Sequence, residues 1–323
     1  MNKELFQVPI SFHIFNRPEL TRKVFEVIKK IKPSKLFITA DGPRKNIEGE
    51  EDKCMEVKLI LNEIDWECDI FKNFSEDNKG SYKSTSEGIT WVFKHVDSAI
   101  ILEDDCIPHI SFFRYCQDLL NYYKDDKRIA AISGNNFQPV ESTTQYSYDF
   151  SRYALIWGWA TWKESWNKID FNMQDWPKFK KMKGLDSVFY RKHEREHWYK
   201  FYQDMYEGKS KPHWDFQFML SCFMNNAMTI LPNRNLVTNV GSGVEASNNK
   251  LQTKFNSFKL NEIKFPLDHP SKMCRNVAAD DYIEKLMYTG GIKARIKRKI
   301  ISYIPKKIYF FLRRILVPLK ILN

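Results

Sequence analysis

Paired cysteines are missing from this chain: Cys54, Cys68, Cys106, Cys116, Cys222 and Cys274 form no Cys-x-x-Cys spacing and are too sparse for a disulfide scaffold. Reduced thiols in a cytosolic compartment are the expectation. No uninterrupted apolar run approaches the roughly 20 residues that span a bilayer, and Met1-Asn2-Lys3-Glu4-Leu5 lacks the apolar stretch of a secretory signal. Internal repeats and low-complexity linkers are absent as well. Acidic residues are absent from positions 285–323, which hold eleven Lys or Arg; the rest of the chain balances 40 basic against 40 acidic residues. The whole net charge of +11 therefore sits in the tail. A nucleic-acid enzyme would carry its basic stripe on the folded body, so no nucleic-acid partner is expected.

The chemistry-bearing stretch is Ser98-Ala99-Ile100-Ile101-Leu102-Glu103-Asp104-Asp105-Cys106-Ile107-Pro108. Ala99 to Leu102 read as a short buried strand, and ligands of open α/β sheets gather beyond the carboxyl ends of strands. Three consecutive carboxylates there are electrostatically expensive without a cation. Hard oxygen ligands suit Mg²⁺ or Mn²⁺ carrying a substrate's phosphates. A bare Glu-Asp-Asp is more often a solvated turn, so the surroundings decide.

Around it, strand and helix patterns alternate. Val8–Phe15, Lys35–Ala40, Cys68–Phe71, the run ending at Glu103, and Ile129–Ser133 read as strands. Between them, Leu20, Val24, Val27, Ile28 and Ile31 recur at helical spacing before Pro33, as do Met55, Leu59, Ile60 and Ile64, then Ile89, Val92, Phe93 and Val96, and finally Phe112, Cys116, Leu119 and Leu120. This rhythm predicts an α/β fold with a mostly parallel sheet and covering helices. From about residue 136 aromatics take over, with Trp157, Trp159, Trp162, Trp166, Trp176, Trp198 and Trp214 close together. Indole faces cover sugar rings, but for any single Trp the core is the better reading. The expected organisation is a domain over 1–284, with a nucleotide-binding half to about residue 135 and an acceptor half over 136–284, followed by a basic tail over 285–323.

Phe15-Asn16-Arg17 after the first strand, Asp41-Gly42 after the second, Glu103-Asp104-Asp105 with Pro108 and Phe112-Phe113 behind it, Trp157-Gly158-Trp159 and Trp214-Asp215 together resemble GT-A glycosyltransferases. The pattern is most similar to the N-acetylglucosaminyltransferase I type and its bacterial relatives, over about residues 8–240. The resemblance implies a Rossmann-like fold with helices on both faces of the sheet. It implies Asp105 as ligand to Mn²⁺ (or Mg²⁺), Glu103 and Asp104 for ribose and donor sugar, Arg17 on the nucleotide, Asp41 on its base, and Asp215 as catalytic base. Phe216-Gln217 stands where that family has a second acid, and no His near Gly241-Ser242-Gly243 offers a further metal ligand. The implied activity is metal-dependent transfer from a nucleotide-diphospho-sugar to a hydroxyl, in cell-surface polysaccharide or lipopolysaccharide synthesis. The residue chemistry agrees: a cation for the departing diphosphate, one carboxylate to take the acceptor's proton and no nucleophile suggest a single inverting displacement.

Two other readings stand beside it. A sugar nucleotidyltransferase would begin with a Gly-rich basic phosphate loop, yet residues 11–19 contain no Gly. A non-catalytic, membrane-tethered sugar-binding protein would bind donor without turning it over. His193-Glu194-Arg195-Glu196-His197 matches the zinc-protease pattern formally, but its charged flanks and missing third ligand predict a solvated helix instead. Gly241-Ser242-Gly243 reads as a loop that closes over substrate. In the tail, Ile292, Ile296, Ile300 and Ile304 lie opposite Lys293, Arg295, Lys297 and Lys299. An apolar face beside a basic one describes an amphipathic helical tail on an anionic membrane surface. The expected location is the cytoplasmic face of the inner membrane, peripherally bound, with a glycan or lipid-linked acceptor.

Overall fold

The computed structural model describes residues 5–138, 144–241 and 258–290. Its centre is an eight-stranded sheet: β1 (Ile10–Ile14), β2 (Lys35–Ala40), β3 (Asp69–Phe74), β4 (Ser98–Glu103), β6 (Ile129–Ser133), β7 (Tyr148–Ser151), β8 (Trp159–Trp162) and β9 (Met228–Pro232), in the order β3-β2-β1-β4-β8-β6-β9-β7. β3, β2, β1 and β4 run parallel, as do β6 and β9, while β8 and β7 enter antiparallel. β5 (Cys106–Pro108) and β10 (Val237–Asn239) form a separate antiparallel pair. The sheet is mostly parallel, with helices around it, as the alternating pattern predicts.

The central strands are near-continuous apolar runs because both of their faces are covered. All five residues of β1 are buried, and so are Ala99 to Leu102 in β4. Helix α1 (Pro18–Ile31) starts on a proline, whose fixed φ suits the first helical position. It seats Val24, Phe25 and Ile28 against the sheet. Helix α4 (Ser111–Tyr122) does the same with Phe112, Phe113, Cys116 and Leu119.

Helix α2 (Glu50–Leu59) corrects an expected stripe. Met55 and Leu59 face solvent, and the inward residues are Glu50, Cys54 and Val57, followed by Ile60 and Leu61. Glu50, Cys54, Val57 and Leu61 keep a regular helical repeat, but on a face that starts with a glutamate and a cysteine, and the helix then tightens to a 3₁₀ turn over Ile60–Glu63. β3 is also longer than expected and largely exposed, as the edge strand of the sheet.

Helix α3 (Gly80–Val92), the short α5 (Lys163–Trp166) and α6 (Trp176–Lys181), α7 (Lys192–Tyr206) and α8 (Trp214–Met224) complete this unit. Most of the tryptophan cluster is core: Trp159, Trp166, Trp176 and Trp198 are fully buried, and Trp214 stacks on Trp159 with ring centroids 6.1 Å apart. Glu194 of the protease-like pattern is not solvated as expected. Along α7 it shares an inward face with Trp198, Tyr202 and Met205, and Arg152 and Arg191 reach its carboxylate at 3.4 and 3.0 Å. That glutamate is spent on a buried ion pair.

By compactness the chain divides into Met1–Val277 and Ala278–Asn323. The helix Val277–Ile283 runs on into a π-helical turn at Glu284–Tyr288. The Ile292–Lys320 part of the tail and the Ser242-Gly243 part of the glycine loop lie outside the described residues. No helix among the described residues is long and apolar enough to cross a membrane.

Candidate active site

The site begins where β1 and β4 end side by side, with His13 opposite Glu103 in parallel register. β4 delivers Glu103 at its last residue, and the chain then turns through Asp104 and Asp105 into β5. β1 delivers Phe15-Asn16-Arg17, and Arg17 sits at the cap position of α1. Its guanidinium reaches back over the β4 turn. Nη1 donates to Asp105 Oδ2 at 2.9 Å, while Nη2 and Nε donate to the two Asp104 oxygens. The Phe15 amide donates to Asp104 as well.

The acids outnumber the base. Burial, reinforced by Asp105 and Asp104, pushes the Glu103 carboxyl up to about 8. Burial raises Asp104 to about 6, with Arg17 pulling the other way. Asp215 also contributes to the rise at Glu103, which places its charge within electrostatic reach of the triplet. Asp215 lies in the first turn of α8 behind the cap residue His213, so it is not itself the cap. Burial raises its pKa, opposed by His213 and by the backbone amides of Phe216 and of Asp215 itself.

Asp41 is placed differently. It directly follows β2 and is buried, and its two oxygens accept from the Gly42, Lys79 and Gly80 amides and from Asn78 Nδ2, at 2.8 to 3.1 Å. Those four bonds use up the acceptor directions of a carboxylate. Asp41 fixes the loop that starts α3. Gln217 is buried and bridges two elements: it accepts from Tyr82 Oη at 2.9 Å and donates to the Phe171 carbonyl at 2.8 Å.

Two residues that the sequence did not single out shape the floor of the site. Asn239, at the end of β10, donates to Asp105 Oδ1 at 3.0 Å and accepts from the Gly241 amide at 2.9 Å. The Val240 amide donates to the Asp105 carbonyl at 2.9 Å, so β10 is tied to the acidic turn from both sides. Gly241 then lies directly over the Arg17–Asp105 pair: a Cβ there would overlap Asp105 Oδ2 and come within 2.7 Å of Asp105 Cγ and 2.8 Å of Arg17 Nη1. Only the glycine in Gly241-Ser242-Gly243 hinted at this approach. Gly158 of Trp157-Gly158-Trp159 has a comparable reason, a φ of +68° with Val237 packed against its Cα.

Among the described residues no three His, Cys, Asp or Glu side chains converge into a ready metal cage. A Mg²⁺- or Mn²⁺-type ion carried on a diphosphate does not require one, because one or two carboxylates with substrate and water oxygens complete its shell. Asp105 beside Glu103 and Asp104 supplies the hard oxygens, and the guanidinium already drawn onto Asp105 is a cation in that place. The residues fit an open, phosphate-completed site.

No protein-family model and no curated protein sequence matches the chain. Solved structures similar to it include S. aureus TarS residues 1–349, at 10% identity over 51% of this chain and 50% of that one, TM-score 0.36. Mouse xyloside xylosyltransferase 1 in its apo form shows 12% identity over 66% and 81% of the two chains, TM-score 0.33. UDP-glucose pyrophosphorylase complexed with UDP-glucose shows 10% identity over 49% and 78%, TM-score 0.30. The chain thus spans about half the length of the TarS structure.

Proposed function

We propose that this protein is a nucleotide-sugar-dependent glycosyltransferase that moves a sugar to a hydroxyl acceptor with inversion at the anomeric carbon. The observation that carries the reading is the grouping of Glu103, Asp104, Asp105 and Arg17 beyond the carboxyl end of a central parallel strand, within electrostatic reach of Asp215. Asp105 would hold a Mn²⁺ or Mg²⁺ ion, which when bound neutralises the charge that develops on the departing diphosphate. Glu103 and Asp104 face the donor's hydroxyls, and Arg17 offers a planar fork matched to phosphate oxygens. Asp41 acts as a positioning residue, holding the Asn78–Gly80 edge of the nucleotide pocket.

Asp215 takes the acceptor hydroxyl's proton as the oxygen attacks. Its raised pKa brings it nearer the working pH and makes it a better proton acceptor. One base and no neighbouring nucleophile fit a single displacement. The acceptor is a glycan or a lipid-linked sugar, brought to the enzyme by the basic tail at an anionic membrane surface on the cytoplasmic face. Incubating the purified protein with a panel of nucleotide sugars and Mn²⁺ tests the reading. Released nucleoside diphosphate supports it, and released pyrophosphate would assign the chain to nucleotidyl transfer instead.

A further inference from the structure

Arg17 is an unusual occupant of a helix start. It stands at the cap position of α1 without a side-chain cap bond, where a positive charge meets the positive end of the helix dipole. Its entire fork is turned onto Asp104 and Asp105. On Asp105, Oδ2 is taken by Arg17 and Oδ1 by Asn239 at 3.0 Å, and the Gly241 backbone closes the space above the pair. A divalent cation on Asp105 would meet a full positive charge one hydrogen bond away from the same carboxylate. Guanidinium and metal ion compete for one oxygen.

We propose that Arg17 is the resident counter-cation of this site and changes partners during donor binding. Without nucleotide it neutralises Asp104 and Asp105. It yields Asp105 to the divalent cation when the donor's diphosphate offers it replacement oxygens. The inference rests on the nucleotide-sugar reading and adds an order to it: cation and nucleotide bind as a mutually dependent pair, and the cation alone is held weakly. Leaving a buried carboxylate unpaired is strongly unfavourable, so the guanidinium leaves Asp105 only for another anion. A diphosphate suits its bidentate geometry. By linkage, each ligand then tightens the other by the same factor.

Mn²⁺ binding followed by electron paramagnetic resonance on the full chain tests this without turnover. Wild type is titrated with MnCl₂ alone and then with UDP, GDP or CDP present, and a nucleoside diphosphate is expected to tighten Mn²⁺ at least tenfold. Arg17→Met removes the competitor, so MnCl₂ alone should bind at least tenfold tighter than to wild type, and the further gain from nucleotide, left to the diphosphate's own ligation of the ion, should be smaller than in wild type. Arg17→Lys keeps a charge but not the fork and should lie between the two; it carries the comparison if Arg17→Met does not fold. Equal or weaker Mn²⁺ binding in both variants overturns the proposal, because Arg17 then builds the cation site instead of competing for it. If wild type binds no Mn²⁺ in any mixture yet releases nucleoside diphosphate in chelator, Arg17 is a permanent counter-charge, and the proposal fails while the transferase reading stands. Absence of both Mn²⁺ binding and nucleoside diphosphate release overturns both.

Discussion

At the scale of single residues, the sharpest assignment is Asp215. Asn retains much of an Asp side chain's shape and hydrogen bonding but cannot accept the acceptor's proton, so Asp215→Asn separates chemistry from packing. We expect turnover to fall by about two orders of magnitude or more, as loss of a general base does, with donor affinity within about threefold of wild type; near-normal turnover would move the base elsewhere. His13 makes a prediction about stability. It is buried with Nε2 on Ser11 Oγ at 2.8 Å, and its Nδ1 has no hydrogen-bond partner among the described residues. Burial lowers its pKa from 6.5 to about 4, so the fold holds the neutral ring while the unfolded chain takes up a proton near 6.5. Its contribution is complete above pH 6.5 and lost as the pH falls through about 4. Melting curves from pH 7 to 4 should drop less steeply for His13→Gln than for wild type, and parallel curves would refute this. The acidic triplet stood out in the sequence because charge beside an apolar run is conspicuous, and Arg17 through the resemblance that Phe15-Asn16-Arg17 bears to the glycosyltransferase pattern. Asn239 did not, since a lone Asn at a strand end has no signature; only the fold brings it to Asp105, 134 residues away.

At the scale of elements, the parallel strands were legible because burial on both faces leaves an apolar run with little ambiguity. The misread stripe on α2 and the edge strand β3 show where an apolar pattern fails: the inward face of α2 carries Glu50 while Met55 and Leu59 face solvent, and an edge strand has no need to be apolar. Glu194 shows a third failure. A charged helix reads as solvated until a second chain segment supplies Arg152, and nothing local to α7 announces that partner. β10 is the element with the least visible role in the sequence and the most direct mechanical one. It pairs with β5 and presses Gly241 onto the Arg17–Asp105 pair. Gly241→Ala forces a methyl against Asp105 and should behave as overpacking does, at about 1–3 kcal/mol of stability. Because the shift is taken up by Asp105 itself, turnover should fall at least tenfold even where the protein is fully folded. A variant with normal melting and normal turnover would mean that this contact relaxes freely.

At the scale of the whole molecule, an electroneutral body carries a tail with all the excess charge. Each basic residue near an anionic surface adds about 1 kcal/mol of attraction, so replacing Arg295, Lys297, Arg298 and Lys299 together by Gln should weaken cosedimentation with phosphatidylserine-containing vesicles by at least a hundredfold. Release of nucleoside diphosphate from soluble donor should be unchanged. Vesicle binding that survives these substitutions would place the contact on another surface. The account as a whole stands on the acidic turn, and Asp105→Asn tests it most directly. With Mn²⁺ and the nucleotide sugar that wild type uses, wild type should release nucleoside diphosphate and stop in excess chelator, while Asp105→Asn, folded by circular dichroism, should release less than about a hundredth as much. Full release by Asp105→Asn, or by wild type in chelator, would contradict a cation-assisted transfer centred on Asp105.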